Sequence, residues 1–342
     1  MDTITQKLIS WYQENKRDLP WRKTKNSYYI WVSEIMLQQT RVEAVISYYE
    51  KFIERFPTIE SFASANIDEV LKYWEGLGYY SRVRNMYKTA NILMEQKKNA
   101  LPDKRDELLA LPGIGAYTAG AILSIAYEMP SVAIDGNVVR IIGRYYAIDK
   151  PFLKNEKIYS SYVANILPKA DADSFTQSFM DLGSSICLPK NPTCEICPLH
   201  ENCLAFKKND ILKYPVKSIK KKQKIEERTV FLFICGDLIA IRKRSEKGLL
   251  ASMYEFPNDL VTLSLIDLEN YLLEENIAYM SVIDAGDAKH VFSHIIWLMR
   301  GFIVEVDKPF GDFLWVSKKD LQEIYSIPSA FSAFLKQFMD RK

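Results

Sequence analysis

The chain has 342 residues, 48% apolar and 26% charged, with a formal net charge of +2. That length exceeds the usual span of one hydrophobic core and points to two domains. No apolar run approaches the roughly 20 residues that span a bilayer, and MDTITQKLISWYQENKRDLPW puts charges where a signal peptide needs an apolar segment, so the expectation is a cytoplasmic protein with no membrane partner.

Charge is unevenly placed along the chain. Residues 1–206 carry 24 Lys and Arg against 24 Asp and Glu, residues 207–228 carry 9 against 3, and residues 229–342 carry 12 against 16. A polyanion meeting the first block must therefore be held by local placement of residues, because bulk charge gives no steering there.

The first block reads as helical almost throughout. In YYIWVSEIMLQQTR apolar residues surround nearly the whole helix circumference. Glu34 follows Ile30 by four residues and precedes Leu37 by three, which puts its carboxyl on an apolar face. Desolvation there raises a carboxyl pKa, as a general acid requires; the competing reading is a surface glutamate on a frayed face. RVEAVISYYEKFIERF repeats its apolar residues at three and four before Pro57 stops the helix.

LPGIGAYTAG lies between two helical stretches. Gly113 and Gly115 allow a tight hairpin whose amides open the second helix, a natural phosphate site, although glycine hairpins also join helices with no such role. AIDGNVVRII puts Asp135 directly before a helix, as an N-cap whose carboxylate is held and kept ionised. Cys187, Cys194, Cys197 and Cys203 are four of the five cysteines in the chain. In a reducing compartment such a cluster binds metal, and spacing alone leaves an iron-sulfur cluster and zinc open, with His200 able to replace one thiolate around zinc.

Residues 207–228, lysine-rich and without periodicity, read as an exposed basic linker. Beyond it, TVFLFICG, LIAIRKR, HIIWLMRGFIVEV and DFLWVS read as strands, and 264–275 and 328–340 as helices packed on the sheet, so 229–342 is an α+β domain. Cys235, in an apolar strand, reads as a core thiol.

LPWR, WVSEIMLQQTRVE, WEGLGYYSRVRN, LPGIGAYTAGAI, DGNVVR, the four cysteines and, far downstream, HVFSH occur in one order. Together they resemble the adenine DNA glycosylases of the helix-hairpin-helix superfamily along nearly the whole chain. The resemblance implies a multidomain protein: an all-α glycosylase domain over 1–206 with a 4Fe-4S loop at 187–203, the linker, and a Nudix-like domain over 229–342 that recognises 8-oxoguanine. It implies one 4Fe-4S cluster instead of zinc, and excision of adenine paired with 8-oxoguanine, and with guanine, from double-stranded DNA by a monomer associated with the nucleoid.

By family position Glu34 protonates adenine N7 and activates water, and Asp135 stabilises the cationic sugar. Tyr117 stands where strand-cleaving relatives carry a lysine, which implies base removal with little strand cleavage. Gln39 and Tyr79 fall on wedge positions, Thr40 and Leu77 near the lesion strand, Arg17, Leu19, Trp21, Arg22 and Gln177 on the adenine pocket, and Phe292, Ser293 and His294 on a loop that reads 8-oxoguanine. For Trp21 and Tyr79 an aromatic core role competes. The segment after Glu255 does not supply the arginine and glutamate pattern of a Nudix hydrolase, so nucleotide hydrolysis is not expected. An endonuclease III-like lyase and a catalytically silent iron-sulfur DNA-binding protein are the competing functions; Tyr117 and the second domain weigh against the first, and a glutamate inside an apolar helix weighs against the second.

Overall fold

In a computed structural model, which describes residues 3–217, 222–245 and 247–341, helix follows helix up to Lys207 and the first strand begins at Lys224. Among the described residues no helix is long and apolar enough to cross a membrane. Contacts divide the chain into two compact units, one of Met1–Ser64 and Arg84–Ile219, the other of Ala65–Val83 and Lys220–Lys342. The helical block over 1–206 is therefore interrupted. Within the second unit Lys72 Nζ donates to the Leu321 carbonyl at 3.0 Å and Ser326 Oγ to the Leu71 carbonyl at 3.4 Å.

In the first unit the helix Ser27–Met36 buries every residue except Tyr29, as its all-round apolar sequence demands. Asn26 starts it, its side chain accepting from the Tyr28 amide at 2.9 Å. Phe52, Phe56 and Phe62 pack ring on ring behind it at 4.9–5.8 Å. The helices Ala116–Ile125, Gly136–Tyr145 and Ala172–Ser185 complete the wall of the site, and the core between the last two runs through Val138, Ile142, Phe175, Phe179 and Leu182.

The second unit holds a seven-stranded mixed sheet. Its strands are β1 (Lys224–Cys235), β2 (Leu238–Lys243), β3 (Tyr254–Glu255), β4 (Asn258–Asp259), β5 (Ser281–Val291), β6 (Ile295–Glu305) and β7 (Leu314–Ser317). The order is β3-β2-β1-β6-β5, with β4 on β1 and β7 on β2; β1 and β6 run parallel and the other pairs antiparallel. Alternation along β1 divides the core: Val230, Leu232 and Ile234 face Phe331, Phe334 and Phe338, while Phe231 and Phe233 face Leu268 and Leu272 of the helix Leu265–Glu274. Gly301 makes room for Phe334, whose ring would lie 2.2 Å from a Cβ there. Cys235 is half-buried at the margin of the core.

The basic stretch 207–228 departs from the linker expectation at both ends. Ile211–Lys213 forms a short 3-10 turn, and Lys224–Arg228 pairs in register with Ile295–Met299. The charges that made 224–228 read as linker are matched inside the sheet: Glu226 accepts from Arg228 at 2.8 Å and from Trp297 Nε1 at 3.0 Å. These partners, Arg228 first, hold the Glu226 carboxyl down to about 2. β5 was not expected from the sequence. Its charges, and a bulge between Asp284 and Gly286 where Asp284 accepts from the Gly286 amide, conceal the alternation of an edge strand.

Candidate active site

A cavity of about 840 Å³ opens in the first unit. Arg17, Leu19, Trp21, Arg22, Glu34, Gln39, Thr40, Gly113, Gly115, Tyr117, Asp135 and Gln177 all line it, although they come from five separate stretches of chain.

At its floor Glu34 is 4% exposed, and the Tyr117 hydroxyl donates to its Oε2 at 2.7 Å. Burial pushes the Glu34 carboxyl up to about 7; the Tyr117 bond opposes the rise and the Asp135 charge adds to it. Burial, with the neighbouring carboxylates, drives the Tyr117 phenol well above 10, so it keeps its proton at neutral pH and acts as a donor. Oε2 is thereby occupied, leaving Oε1 to carry a transferable proton.

Asp135 is the N-cap of the 136–145 helix. Its Oδ1 accepts from the Val138 amide and its Oδ2 from Asn137 Nδ2, both at 2.8 Å. The capping role is as expected, but burial raises the carboxyl above its usual 3.8, against the pull of these hydrogen bonds. The helix N-terminus alone therefore does not fix its charge.

Arg17 and Arg22 converge on Asp181, which the sequence did not single out. Arg17 Nε reaches Asp181 Oδ1 at 2.7 Å, and Arg22 spans both oxygens at 2.7 and 2.8 Å. Asp181 is 2% exposed, and although burial works against ionisation, the two guanidinium groups hold its carboxyl below the usual range. Gln177 lies one turn earlier on the buried face of the same helix. That polar stripe of Ser174, Gln177, Ser178 and Asp181 inside a buried helix is the signal that could have found it. Trp21, buried and packed edge-on to Tyr49 at 5.3 Å, is a core aromatic that also lines the cavity.

Gly113 adopts φ +78° in the hairpin, where a Cβ would lie 2.6 Å from the Asn85 Cβ. Gly115 caps the 116–125 helix, with open space where a side chain would stand. No side chain caps the amides that open that helix. Gln39, just past the end of the 27–36 helix, is held at φ +59°, a conformation costly for a residue with a Cβ. Thr40 follows it, its hydroxyl 3.4 Å from the Gln38 carbonyl.

Leu77, Tyr79, Phe292, Ser293 and His294 belong to the second unit. Tyr79 is at φ +47° and 49% exposed, which removes the core reading, whereas the Leu77 side chain is buried. Arg82 pins this turn, donating to the Leu77 and Gly78 carbonyls at 3.0 and 3.1 Å. Phe292, Ser293 and His294 form the tip joining β5 to β6. Ser293 and His294 are exposed, and Phe292 is half-buried with its ring against Trp297 at 4.9 Å.

Cys187, Cys194, Cys197 and Cys203 line one small apolar cavity with Leu182, Ile186 and Leu199. Burial raises the Cys197 thiol to about 12 and lifts Cys194 and Cys203. His200 turns Nδ1 to the Cys197 carbonyl at 2.7 Å. Among the described residues no three His, Cys, Asp or Glu are grouped closely enough to hold a single metal ion. Buried Arg144 donates to Cys187 Sγ at 3.3 Å and to the Leu188 and Pro189 carbonyls at 2.8 and 3.1 Å. Arg140 donates to the Cys187 and Gly183 carbonyls at 2.6 and 2.7 Å. Both arginines stand on the helix that Asp135 caps, so the cysteine loop braces the element carrying that carboxylate.

Residues 32–163 match the HhH-GPD superfamily of base excision DNA repair proteins, and residues 229–337 match the NUDIX domain. The adenine DNA glycosylase of Buchnera aphidicola from Acyrthosiphon pisum is 35% identical over 342 residues, covering 98% of this chain and 97% of that protein. The chain belongs to the adenine DNA glycosylase family. The enzyme of B. aphidicola from Schizaphis graminum is 41% identical over 260 residues, covering 75% of this chain and 74% of that one, and that of Mus musculus is 31% identical over 363 residues, covering 88% and 70%. A thermostable thymine-DNA glycosylase aligns with a TM-score of 0.56 at 25% identity, over 60% of this chain and 95% of its own. An endonuclease III bound to DNA aligns with a TM-score of 0.52 at 22% identity over 60% and 94%, which shows the shared helical fold.

An adenine DNA glycosylase must break an N-glycosidic bond, and that chemistry needs a protonated leaving base and a stabilised cationic sugar. Glu34 and Asp135 place two carboxyls in one cavity.

Proposed function

We propose that this enzyme excises adenine paired with 8-oxoguanine, and with guanine, from double-stranded DNA, leaving an abasic site without cutting the strand. The observation that carries the reading is the Tyr117–Glu34 hydrogen bond at 2.7 Å, with the Glu34 carboxyl near 7 in a cavity shared with Asp135. Glu34 gives its proton to adenine N7 as the C1′–N9 bond breaks, and adenine departs neutral with the bonding pair on N9. Asp135 offsets the charge on the sugar, and the Glu34 carboxylate then takes a proton from the water that attacks C1′, which restores the acid. Flipping the adenine costs a few kcal/mol; on the first unit Gln39, held in a left-handed conformation, is the wedge, with Thr40 beside the lesion strand, and on the second unit Tyr79 and Leu77 keep the wedge and lesion-strand roles that family position gives them. Tyr117 provides no amine for a Schiff base, which supports base removal alone. Residues 1–206 and 229–342 act as glycosylase and recognition domains of a monomer in the compartment that holds the DNA.

The four cysteines fit one 4Fe-4S cluster: four thiols on a common apolar cavity, with a buried guanidinium at Cys187 suited to anionic sulfur. Bound there, the cluster supplies no step of the bond cleavage; Arg140 and Arg144 transmit its bracing to the 136–145 helix. Protein purified without oxygen is expected to contain about four iron and four sulfide per chain, the stoichiometry of such a cluster. Stoichiometric zinc without sulfide contradicts the assignment.

For the lesion strand, 8-oxoguanine differs from guanine by a hydrogen on N7 and an oxygen on C8. The exposed Ser293 hydroxyl can accept from the first and donate to the second. A Ser293→Ala, His294→Ala double variant is expected to lose about 1–3 kcal/mol of discrimination, the worth of a base-specific contact. Single-turnover excision then slows mainly on the 8-oxoguanine:adenine duplex; equal slowing on guanine:adenine shows that the tip only supports general binding.

A further inference from the structure

The hairpin tip at 292–294 contains neither Gly nor Pro to restrict it, yet both carbonyls flanking Ser293 are held. Gln223 Nε2 donates to the Phe292 carbonyl at 2.6 Å, and the Lys224 amide donates to the His294 carbonyl at 3.0 Å. The Phe292 amide closes the turn on the Ile295 carbonyl at 2.8 Å. Its ring rests on Trp297, which donates to Glu226 and stacks under the Arg228 guanidinium at 4.2 Å. Phe292 is thus a packed anchor on one side of the tip, and the entry to β1 is a clamp on the other.

The Lys224 contact belongs to the backbone pairing of β1 with β6 and exists whatever the side chain. The Gln223 contact does not. Gln223 is an exposed residue just before β1, and its side-chain amide is the part of the clamp that sequence can change without disturbing the sheet. We propose that Gln223 is a specificity-determining positioning residue: its amide fixes the Phe292 carbonyl and so aims Ser293 and His294 at the base opposite the adenine. The inference rests on the tip being the reader of 8-oxoguanine. A donor at 223 is required, and the residue itself touches no base. Because reading a base edge depends on sub-ångström placement of the contacting groups, loosening their support costs discrimination before it costs stability.

The test uses the full-length protein and the ratio of single-turnover excision rates on 8-oxoguanine:adenine and guanine:adenine duplexes. Gln223→Glu keeps the length and removes the donor, and is expected to lower the ratio about three- to tenfold, the range of one lost hydrogen bond. Gln223→Lys restores a donor and is expected to recover the ratio. Two results overturn the inference: Gln223→Glu keeping the unaltered ratio while the Ser293→Ala, His294→Ala variant lowers it, or Gln223→Glu slowing both duplexes equally. If the double variant itself leaves the ratio intact, the reading of the tip fails first, and the role of Gln223 with it.

Discussion

Glu34→Gln is expected to slow single-turnover adenine excision by about 10²- to 10⁴-fold, the usual cost of losing a general acid, while a mispaired duplex is still bound. Glutamine keeps the size of the side chain and can accept the Tyr117 hydroxyl, so the cavity floor stays packed, but it has no proton to give. The pH profile gives a second reading of the same group. An acid must carry its proton, and the Glu34 carboxyl releases it near 7, so the rate of the unaltered enzyme is expected to fall about tenfold per unit above that pH. Binding measured separately from excision distinguishes the two effects. A near-normal single-turnover rate in Glu34→Gln gives the proton to another group.

Asp135→Asn is expected to cost about 10²- to 10³-fold, the range for removing one electrostatic contact to a transition state. Asparagine caps a helix as well as aspartate does, so the 136–145 helix, its core contacts and the arginines reaching the cysteine loop are retained. What is lost is the negative charge facing the sugar. Because burial raises the Asp135 carboxyl, the unaltered enzyme should also lose rate on the acid side as that group takes up a proton. A variant that is folded by circular dichroism and keeps full rate shows that the residue only caps the helix.

Much of the site was legible because it rests on local pattern. A ten-residue helix apolar on all sides must be buried, so a glutamate within it must be desolvated, and an aspartate before a helical run must cap it. The glycine hairpin was legible for the same reason. Asp181 was not, because its partners Arg17 and Arg22 lie 164 and 159 residues away and nothing near it in sequence marks the meeting point. Arg144 escaped notice similarly, since its acceptors are backbone carbonyls and a sulfur of a distant loop. In the second unit the apolar strands were evident, whereas β5 was concealed by edge charges and a bulge, and the start of β1 by charges that pair with one another and with Trp297. Nothing in HVFSH marks the ring contact of the half-buried Phe292 with Trp297.

The most direct test of the account is adenine release from duplexes carrying adenine opposite 8-oxoguanine, guanine or thymine, with each reaction analysed before and after hot alkali. The account predicts rapid loss of adenine opposite 8-oxoguanine, slower loss opposite guanine and none opposite thymine, with strand breaks appearing only after alkali. Excision opposite thymine at a comparable rate, or strand breaks before alkali, would contradict it.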